Sequence, residues 1–95
     1  GDVMIVRILG EGQLALGEEH LDELNALDDE LSAAVAASDE TGFRGHLVRL
    51  LDRVRALGTP VADDELSPSD LILPDADSSL AEVAALLGEE GLIPG

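Results

Sequence analysis

The sequence contains no cysteine, lysine, tryptophan or tyrosine, and it has one phenylalanine and one methionine. Without cysteine the chain cannot form a disulfide, a thiolate metal site or a cysteine nucleophile. Because aromatic anchors are almost absent, the core must be built from Leu, Ala, Val and Ile. We therefore expect modest stability, or burial of part of the surface in an oligomer.

Basic side chains are also scarce, since five arginines stand against 21 acidic residues, for a formal net charge of −16. Nucleic acid and anionic lipid would both be repelled, so we expect no nucleic-acid binding and no direct membrane insertion. No apolar run approaches the roughly 20 residues of a membrane-spanning helix, and the N-terminus lacks the basic region of a signal peptide. These features predict a cytoplasmic protein that has cationic partners or is adapted to high salt.

The 95 residues present are enough for one domain, residues 1–95. Changes in hydrophobic period divide it into a β-hairpin (3–16), a helical hairpin (18–57), an irregular segment with a short strand (59–78) and a C-terminal helix (79–90). The order ββααβα predicts an α+β fold, in which an antiparallel helical hairpin and a C-terminal helix cover one face of a small sheet.

Residues 3–9, VMIVRIL, are apolar on both sides of the alternation expected of a strand. Such a strand lies in the middle of a sheet or is buried by a second subunit. The second possibility makes the chain a self-assembling structural module, a homodimer without contact to another protein. Its self-association surface would be formed by Val3, Ile5, Val6 and Leu9.

Gly10 and Gly12, followed by Ala15, match the G-x-G-x-x-A form of a dinucleotide-binding fingerprint. In that motif the glycines open a helix, and a second parallel strand follows. Here residues 13–16 alternate like a strand, and the next segment is charged and helical in period. The sequence therefore predicts a hairpin with a glycine turn, and no nucleotide cofactor.

Between residues 18 and 57 the apolar side chains recur with helical spacing. Ser38 or Asp39 is placed to cap the second helix and Gly58 to end it, and the short connection predicts an antiparallel pair. The inward stripes are Leu21, Leu24, Leu27, Leu31, Ala34 and Val35 on the first helix, and Phe43, Leu47, Leu50, Leu51, Val54 and Leu57 on the second.

The C-terminal third contains two local signals. Leu71-Ile72-Leu73, closed by Pro74, predicts a strand at a sheet edge. Ser79 and Glu82 have the spacing of a capping box, which opens a final helix that Gly88 or Gly91 ends. The inward residues of this helix are predicted to be Leu80, Val83, Ala84 and Leu87.

No group of residues predicts catalysis. Asp-Ser-Ser-Leu at 77–80 approaches the D-S-L motif of phosphopantetheine carriers, but it has an extra serine and lies near the C-terminus, so we interpret Ser79 as a helix cap. His20 and His46 each lack a partner three or four residues away, and the carboxylates lack the spacing of a calcium loop. We expect no catalytic residue, no cofactor and no metal.

The arginines of the second helix lie on two flanks of its apolar stripe, Arg44 and Arg55 on one, Arg49 and Arg53 with His46 on the other. Both flanks are expected to face carboxylates of the first helix. Five arginines cannot neutralise 21 acids, so a negative surface remains. It is either a solvated, salt-adapted surface or a docking face for a basic partner, and the candidate partner-binding residues are Glu19, Asp22, Asp29 and Glu30.

Four blocks occur in order along the chain: MIVRILGEGQ, LDELNALDDEL, LGTPVADDELSPSDLILP and LLGEEGLIPG. Together they resemble the PspAA family, small proteins associated with phage shock protein A (PspA) in actinobacteria and archaea. The resemblance implies association with a PspA-like coiled-coil protein that coats the inner face of a stressed membrane and carries basic stretches for lipid contact. The expected function is a non-enzymatic adaptor or regulator in this envelope-stress response, recruited to the inner membrane face through its partner.

Overall fold

The computed structural model of the chain describes residues 3–62 and 68–87. The predicted α+β class is confirmed, and the described part contains one strand more than predicted. The elements are β1 (Val3–Ile8), β2 (Gly12–Gly17), a 3₁₀ turn (Glu18–His20), α1 (Leu21–Ala36), α2 (Glu40–Leu57), β3 (Thr59–Pro60), β4 (Leu71–Leu73) and α3 (Leu80–Leu86).

The strands lie in the order β3-β2-β1-β4, so β1 is central. It pairs antiparallel with β2 along its whole length, with Met4 opposite Leu16. It also pairs parallel with β4, with Val6 opposite Leu71. The predicted edge strand at 71–73 is therefore confirmed, and β1 lies in the middle of the sheet, the first of the two positions expected for it.

The turn between β1 and β2 is the predicted glycine turn. Gly10 and Gly12 have φ angles of +85° and +117°, which L-residues rarely adopt, and the N–H of Glu11 donates to the carbonyl of Ile8 at 2.9 Å. Because β2 returns antiparallel to β1, the G-x-G-x-x-A sequence is a hairpin turn that opens no helix.

Gly12 and Gly45 can be compared to measure the cost of a positive φ at this turn, because a Cβ added at either position would meet no other atom within 4 Å. Alanine at Gly12 would meet no atom within 4 Å but would be forced to a positive φ, so Gly12→Ala should lower the free energy of unfolding by about 1–2 kcal/mol. Gly45 in α2 has equal space and helical geometry, so Gly45→Ala should raise it by up to about 1 kcal/mol. Urea unfolding compares the two variants, and equal stability of Gly12→Ala and the wild type would contradict this account.

The helical hairpin forms as predicted, except that its first helix is preceded by the 3₁₀ turn. The Asp39 side chain caps α2 by accepting a hydrogen bond from the N–H of Gly42 at 3.1 Å, and Gly58 follows the last helical residue. All predicted stripe residues of both helices are buried or packed against the core. The hairpin is therefore held mainly by aliphatic contacts, to which Phe43 adds one aromatic ring.

Strand β3 is an element that the sequence did not predict. Thr59 lies opposite Ala15, and Pro60 lies opposite Leu14. Two residues are too few to show a period, and proline, which has no N–H to donate, is tolerated at a sheet edge. Of the predicted irregular segment, residues 63–67 lie outside the described part of the chain.

The final helix is shorter than predicted. Its capping box is confirmed, since the Ser79 hydroxyl accepts from the Glu82 N–H at 3.1 Å and the Glu82 carboxylate accepts from the Ser79 N–H at 3.2 Å. α3 ends at Leu86, and its extended C-cap Leu87 directly precedes Gly88, the first of the two predicted end points. Val83 is the one fully buried side chain of α3, so little packing supports another turn. Residues 88–90 of the predicted helix lie outside the described residues, and Ala84, predicted to point inward, is exposed.

The core lies on one face of the sheet. The alternate β1 residues Met4, Val6 and Ile8 are buried there together with Leu16, Leu71 and Leu73, and they form one cluster with the inward stripes of the helices. The opposite face of the sheet carries exposed side chains, including Val3, Arg7 and Ile72. The helices thus cover one side of the sheet, while on the other side the Gln13 side chain donates a hydrogen bond to the Ser69 hydroxyl at 2.8 Å.

Candidate interaction surfaces

One flank of α2 pairs with carboxylates of α1, as predicted. Arg53 Nε lies 2.5 Å from Glu23 Oε2. Glu30 Oε2 lies 3.5 Å from His46 Nδ1 and 3.6 Å from Arg49 Nη1. The hydrogen bond from Arg53 lowers the pKa of Glu23, so this carboxylate stays ionised at lower pH than an isolated glutamate. These pairs neutralise the side of α1 that faces α2.

The other flank of α2, formed by Arg44 and Arg55, does not pair with α1, so the prediction that both flanks face α1 is wrong. Arg55 forms ion pairs with Glu11, in the β1–β2 turn, and with Asp52. Its hydrogen bond lowers the pKa of Glu11. Arg44 donates to the carbonyl of Ala76 and lies 5.0 Å from the centre of the Phe43 ring. The apolar stripe separates the two flanks of α2, so only one of them can face α1.

These contacts leave negative charge at the start of α1 and on its outer side, a surface here called the acidic face and formed by Glu18, Glu19, Asp22 and Asp29. In the described part of the chain, Asp22 and Asp29 are exposed and have no cationic partner. They lie two turns apart, about 10 Å along the axis, on the same side of the helix. Glu19 lies 3.7 Å from His20 Nε2. Of the four predicted partner-binding residues, Glu30 differs, because it belongs to the ion pairs with α2.

The opposite side of the sheet forms a second surface, the open sheet face. Val3 and Ile72 are 59% and 51% exposed, and Leu9, which follows β1 directly, is 40% exposed. Val6 is 0% exposed, so of the four predicted self-association residues it alone lies on the core side. The side of the sheet away from the helices carries Val3, Ile5 and Arg7 of β1, Gln13, Ala15 and Gly17 of β2, and Ile72 of β4. Ser69, just before β4, accepts a hydrogen bond from the Gln13 side chain, so the chain itself reaches part of this face.

Sequence reasoning missed the part that β4 plays in this face. Ile72 lies beside Arg7 in the parallel register, and it is exposed because its neighbours Leu71 and Leu73 both point into the core. A three-residue apolar run does not show which of its side chains is buried. In β1, by contrast, simple alternation along the strand places Arg7 on the same side as Val3 and Ile5.

The serines of the Asp-Ser-Ser-Leu sequence have structural partners. Ser78 is buried, and its hydroxyl donates to Asp75 Oδ1 at 2.9 Å. The hydroxyl of Ser79 is the helix cap described above, which confirms that interpretation. Both hydroxyls therefore contribute to the entry of the chain into α3.

Two further findings bear on function. Within residues 3–62 and 68–87 there is no cluster of three or more His, Cys, Asp or Glu side chains arranged to hold a metal ion. Over the same residues, no helix has both the length and the apolar character needed to cross a bilayer.

Comparison with known proteins identifies one family. A family model described as PspA-Associated protein matches residues 4–95. No curated protein and no solved structure matches the chain. The match covers nearly the whole chain, including the acidic face and all of the open sheet face except Val3.

Proposed function

We propose, from the premise that this chain belongs to the PspA-associated protein (PspAA) family, that it is a non-enzymatic adaptor or regulator of a PspA-like protein. The family description itself indicates association with PspA. The finer proposal is that the chain binds its partner through the acidic face and is thereby recruited to the inner side of the membrane, without inserting into it.

The observation that carries this proposal is the distribution of charge on the helical hairpin. Arg49 and Arg53 pair with the side of α1 next to α2, while Asp22 and Asp29 have no cationic partner among the described residues. The chain as a whole carries a formal charge of −16. Such a surface favours a cationic partner and steers its approach. Basic stretches on a PspA-like protein would supply that partner.

Binding of the purified PspA-like protein from the same organism, measured by calorimetry at two salt concentrations, tests the proposal. Raising the salt from 0.15 M to 1 M shortens the Debye length from about 8 Å to about 3 Å. We therefore expect the dissociation constant to rise at least about tenfold, since contacts between exposed charges are screened. Affinity that does not change with salt would exclude docking through the acidic face, and no binding at either concentration would refute the adaptor function.

A self-assembling module is the second candidate, because the open sheet face exposes aliphatic side chains. Patches of this kind mark interaction sites on soluble domains. Light scattering of the isolated chain distinguishes this candidate, since self-assembly requires a mass that rises with concentration even when no PspA-like protein is present.

A further inference from the structure

A small cavity lies at the β3 edge of the sheet, between the β1–β2 turn and the last turns of α2. Its volume is about 230 Å³, and it is lined by the apolar residues Leu14, Pro60 and Val61 and by the charged residues Glu11 and Arg55. Because Leu14 packs against the core and Arg55 belongs to α2, the cavity lies on the side of the sheet that the helices cover.

The size of the cavity suits a single side chain. Sites for drug-sized ligands and cofactors have volumes of about 300–1,000 Å³, whereas a cavity of about 150 Å³ holds a benzene molecule. The volume of about 230 Å³ lies between these values. The cavity is therefore too small for a dinucleotide and large enough for one side chain of a partner protein, whose carbon atoms would contact Leu14, Pro60 and Val61.

The charged groups at the cavity indicate the charge of that side chain. Arg55 donates from Nε to Glu11 Oε1 at 2.8 Å, from Nη2 to Glu11 Oε2, and from Nη1 to Asp52 Oδ1 at 2.9 Å. The Asp75 carboxylate lies beside the same turn, since its Oδ2 would be 3.7 Å from a Cβ at Gly10. Its charge opposes the lowering of the Glu11 pKa by Arg55. Three carboxylates and one guanidinium thus lie together, with a formal charge of −2 (one positive and three negative charges).

An apolar lining next to excess negative charge fits the side chain of lysine or arginine. Both have an aliphatic stem that packs on apolar groups and a charged end that reaches water or a carboxylate. An anion would be repelled by the surrounding carboxylates. A purely apolar side chain would remove water from Glu11 and Arg55 without supplying a hydrogen bond in return. Charge complementarity therefore favours a cation with a long stem.

A second copy of this chain is a poor source of that cation. The sequence contains no lysine, and four of its five arginines bond within their own chain. Each copy also carries a formal charge of −16, and like charges disfavour association. These two arguments favour a different, basic molecule.

The position of the cavity fits a partner that also contacts the acidic face. Arg53 pairs with Glu23 in the first turn of α1, and Arg55 pairs with Glu11 at the cavity. The last turns of α2, about 10–12 Å across, therefore lie between the first turn of α1 and the cavity. A basic segment bound at the start of α1 can extend across this distance.

We propose that this cavity receives one lysine or arginine side chain from a basic stretch of the PspA-like partner, with its stem on Leu14 and Val61 and its charged end at Glu11. The identity of the partner rests on the proposed function, and the cavity adds a specific contact to it. The acidic face attracts basic segments over a broad surface, whereas a cavity for one side chain fixes the position of the partner on the domain.

Two variants of the full chain alter the cavity, and each has a matched control. Val61→Phe places a larger side chain in the cavity without a change in charge, and Val48→Phe makes the same substitution at an exposed position of α2. Glu11→Gln removes a negative charge and keeps an oxygen that can accept from Arg55, whereas Glu40→Gln removes a charge at the other end of α2. Calorimetry measures binding to the purified PspA-like protein, and circular dichroism with thermal unfolding verifies that each variant folds.

We expect Val61→Phe and Glu11→Gln each to weaken binding at least about fivefold, whereas the two controls stay within about twofold of the wild type. Alanine substitution of the basic residues of the partner, one at a time, then identifies the side chain in the cavity. One such substitution should weaken binding to the wild type and have little further effect on binding to Glu11→Gln, because residues in contact are not additive in a double-mutant cycle.

Four results would overturn the inference. If Val61→Phe and Glu11→Gln both bind as tightly as the wild type, the cavity is not a contact, while the adaptor function stands. If Val61→Phe alone weakens binding, or no basic residue of the partner is coupled to Glu11, the occupant is not a cation. If Val61→Phe lowers the mass of the isolated chain in light scattering, the occupant is a second copy. If the wild type does not bind the PspA-like protein at all, the proposed function fails and this inference fails with it.

Discussion

Val6→Lys is expected to leave the protein unfolded at neutral pH, whereas Ile5→Lys, one position away, is expected to fold. Val6 is 0% exposed and lies on the core side of β1. Burying an unpaired ammonium group costs several kcal/mol, and small domains have about 5–15 kcal/mol of stability in total. Ile5 lies on the open sheet face, so a lysine there can extend into water, and we expect a loss of at most about 1 kcal/mol from its lower strand propensity.

Far-UV circular dichroism and urea unfolding of the two variants measure this contrast. Lysine at two adjacent positions is its own control, because both variants gain the same side chain and the same charge. A folded Val6→Lys variant together with an unfolded Ile5→Lys variant would mean that the covered and open sides of the sheet are reversed. Light scattering of Ile5→Lys adds a second result, since a drop in mass relative to the wild type would indicate self-association through this face.

The double variant Asp22→Lys/Asp29→Lys is expected to weaken binding of the PspA-like protein by roughly 10- to 100-fold at 0.15 M salt. Both carboxylates lie on the acidic face without a cationic partner in the described part of the chain. Reversing them therefore changes the attraction for a basic partner without breaking a contact within the fold. Glu30 is left unchanged, because a lysine there would repel Arg49.

The matched control is Glu40→Lys/Asp77→Lys, which changes the net charge equally at exposed positions outside the acidic face. Asp22 and Glu40 each lie in the first turn of a helix, so the unfavourable interaction of lysine with the helix dipole is also matched. Calorimetry and unfolding of both variants complete the comparison. An equal loss of affinity in the control would show that net charge, and not the acidic face, controls binding.

Much of the fold was predictable because its signals are local. The helical hairpin follows from apolar residues recurring at helical spacing between residues 18 and 57. The caps at Asp39 and Ser79 follow from short side-chain-to-backbone hydrogen bonds. Gly10 and Gly12 predict a turn, because few other residues adopt a positive φ. Family membership was also predictable, since it depends on the order of short blocks and not on their packing.

The parts that were not predicted depend on which elements meet. Periodicity shows that α2 has two basic flanks, but only the packing decides that Arg53 faces α1 and that Arg55 reaches the hairpin turn at Glu11. The same holds for the edge strand β3, which exists because β2 lies beside it, and for α3, whose length is limited by the single buried side chain of Val83.

The two surfaces of the domain, the acidic face and the side of the sheet away from the helices, were also predictable only in part. The sequence by itself determined an acidic, cysteine-free α+β domain with carboxylates on the outer side of its first helix and alternating side chains on its first strand. Only the tertiary structure decided that the helices cover the side of the sheet containing Val6, which leaves Ile5, Arg7 and Ile72 on the open side. The physical reason is that alternation assigns each residue to one of two faces, while burial depends on contacts between segments far apart in the chain.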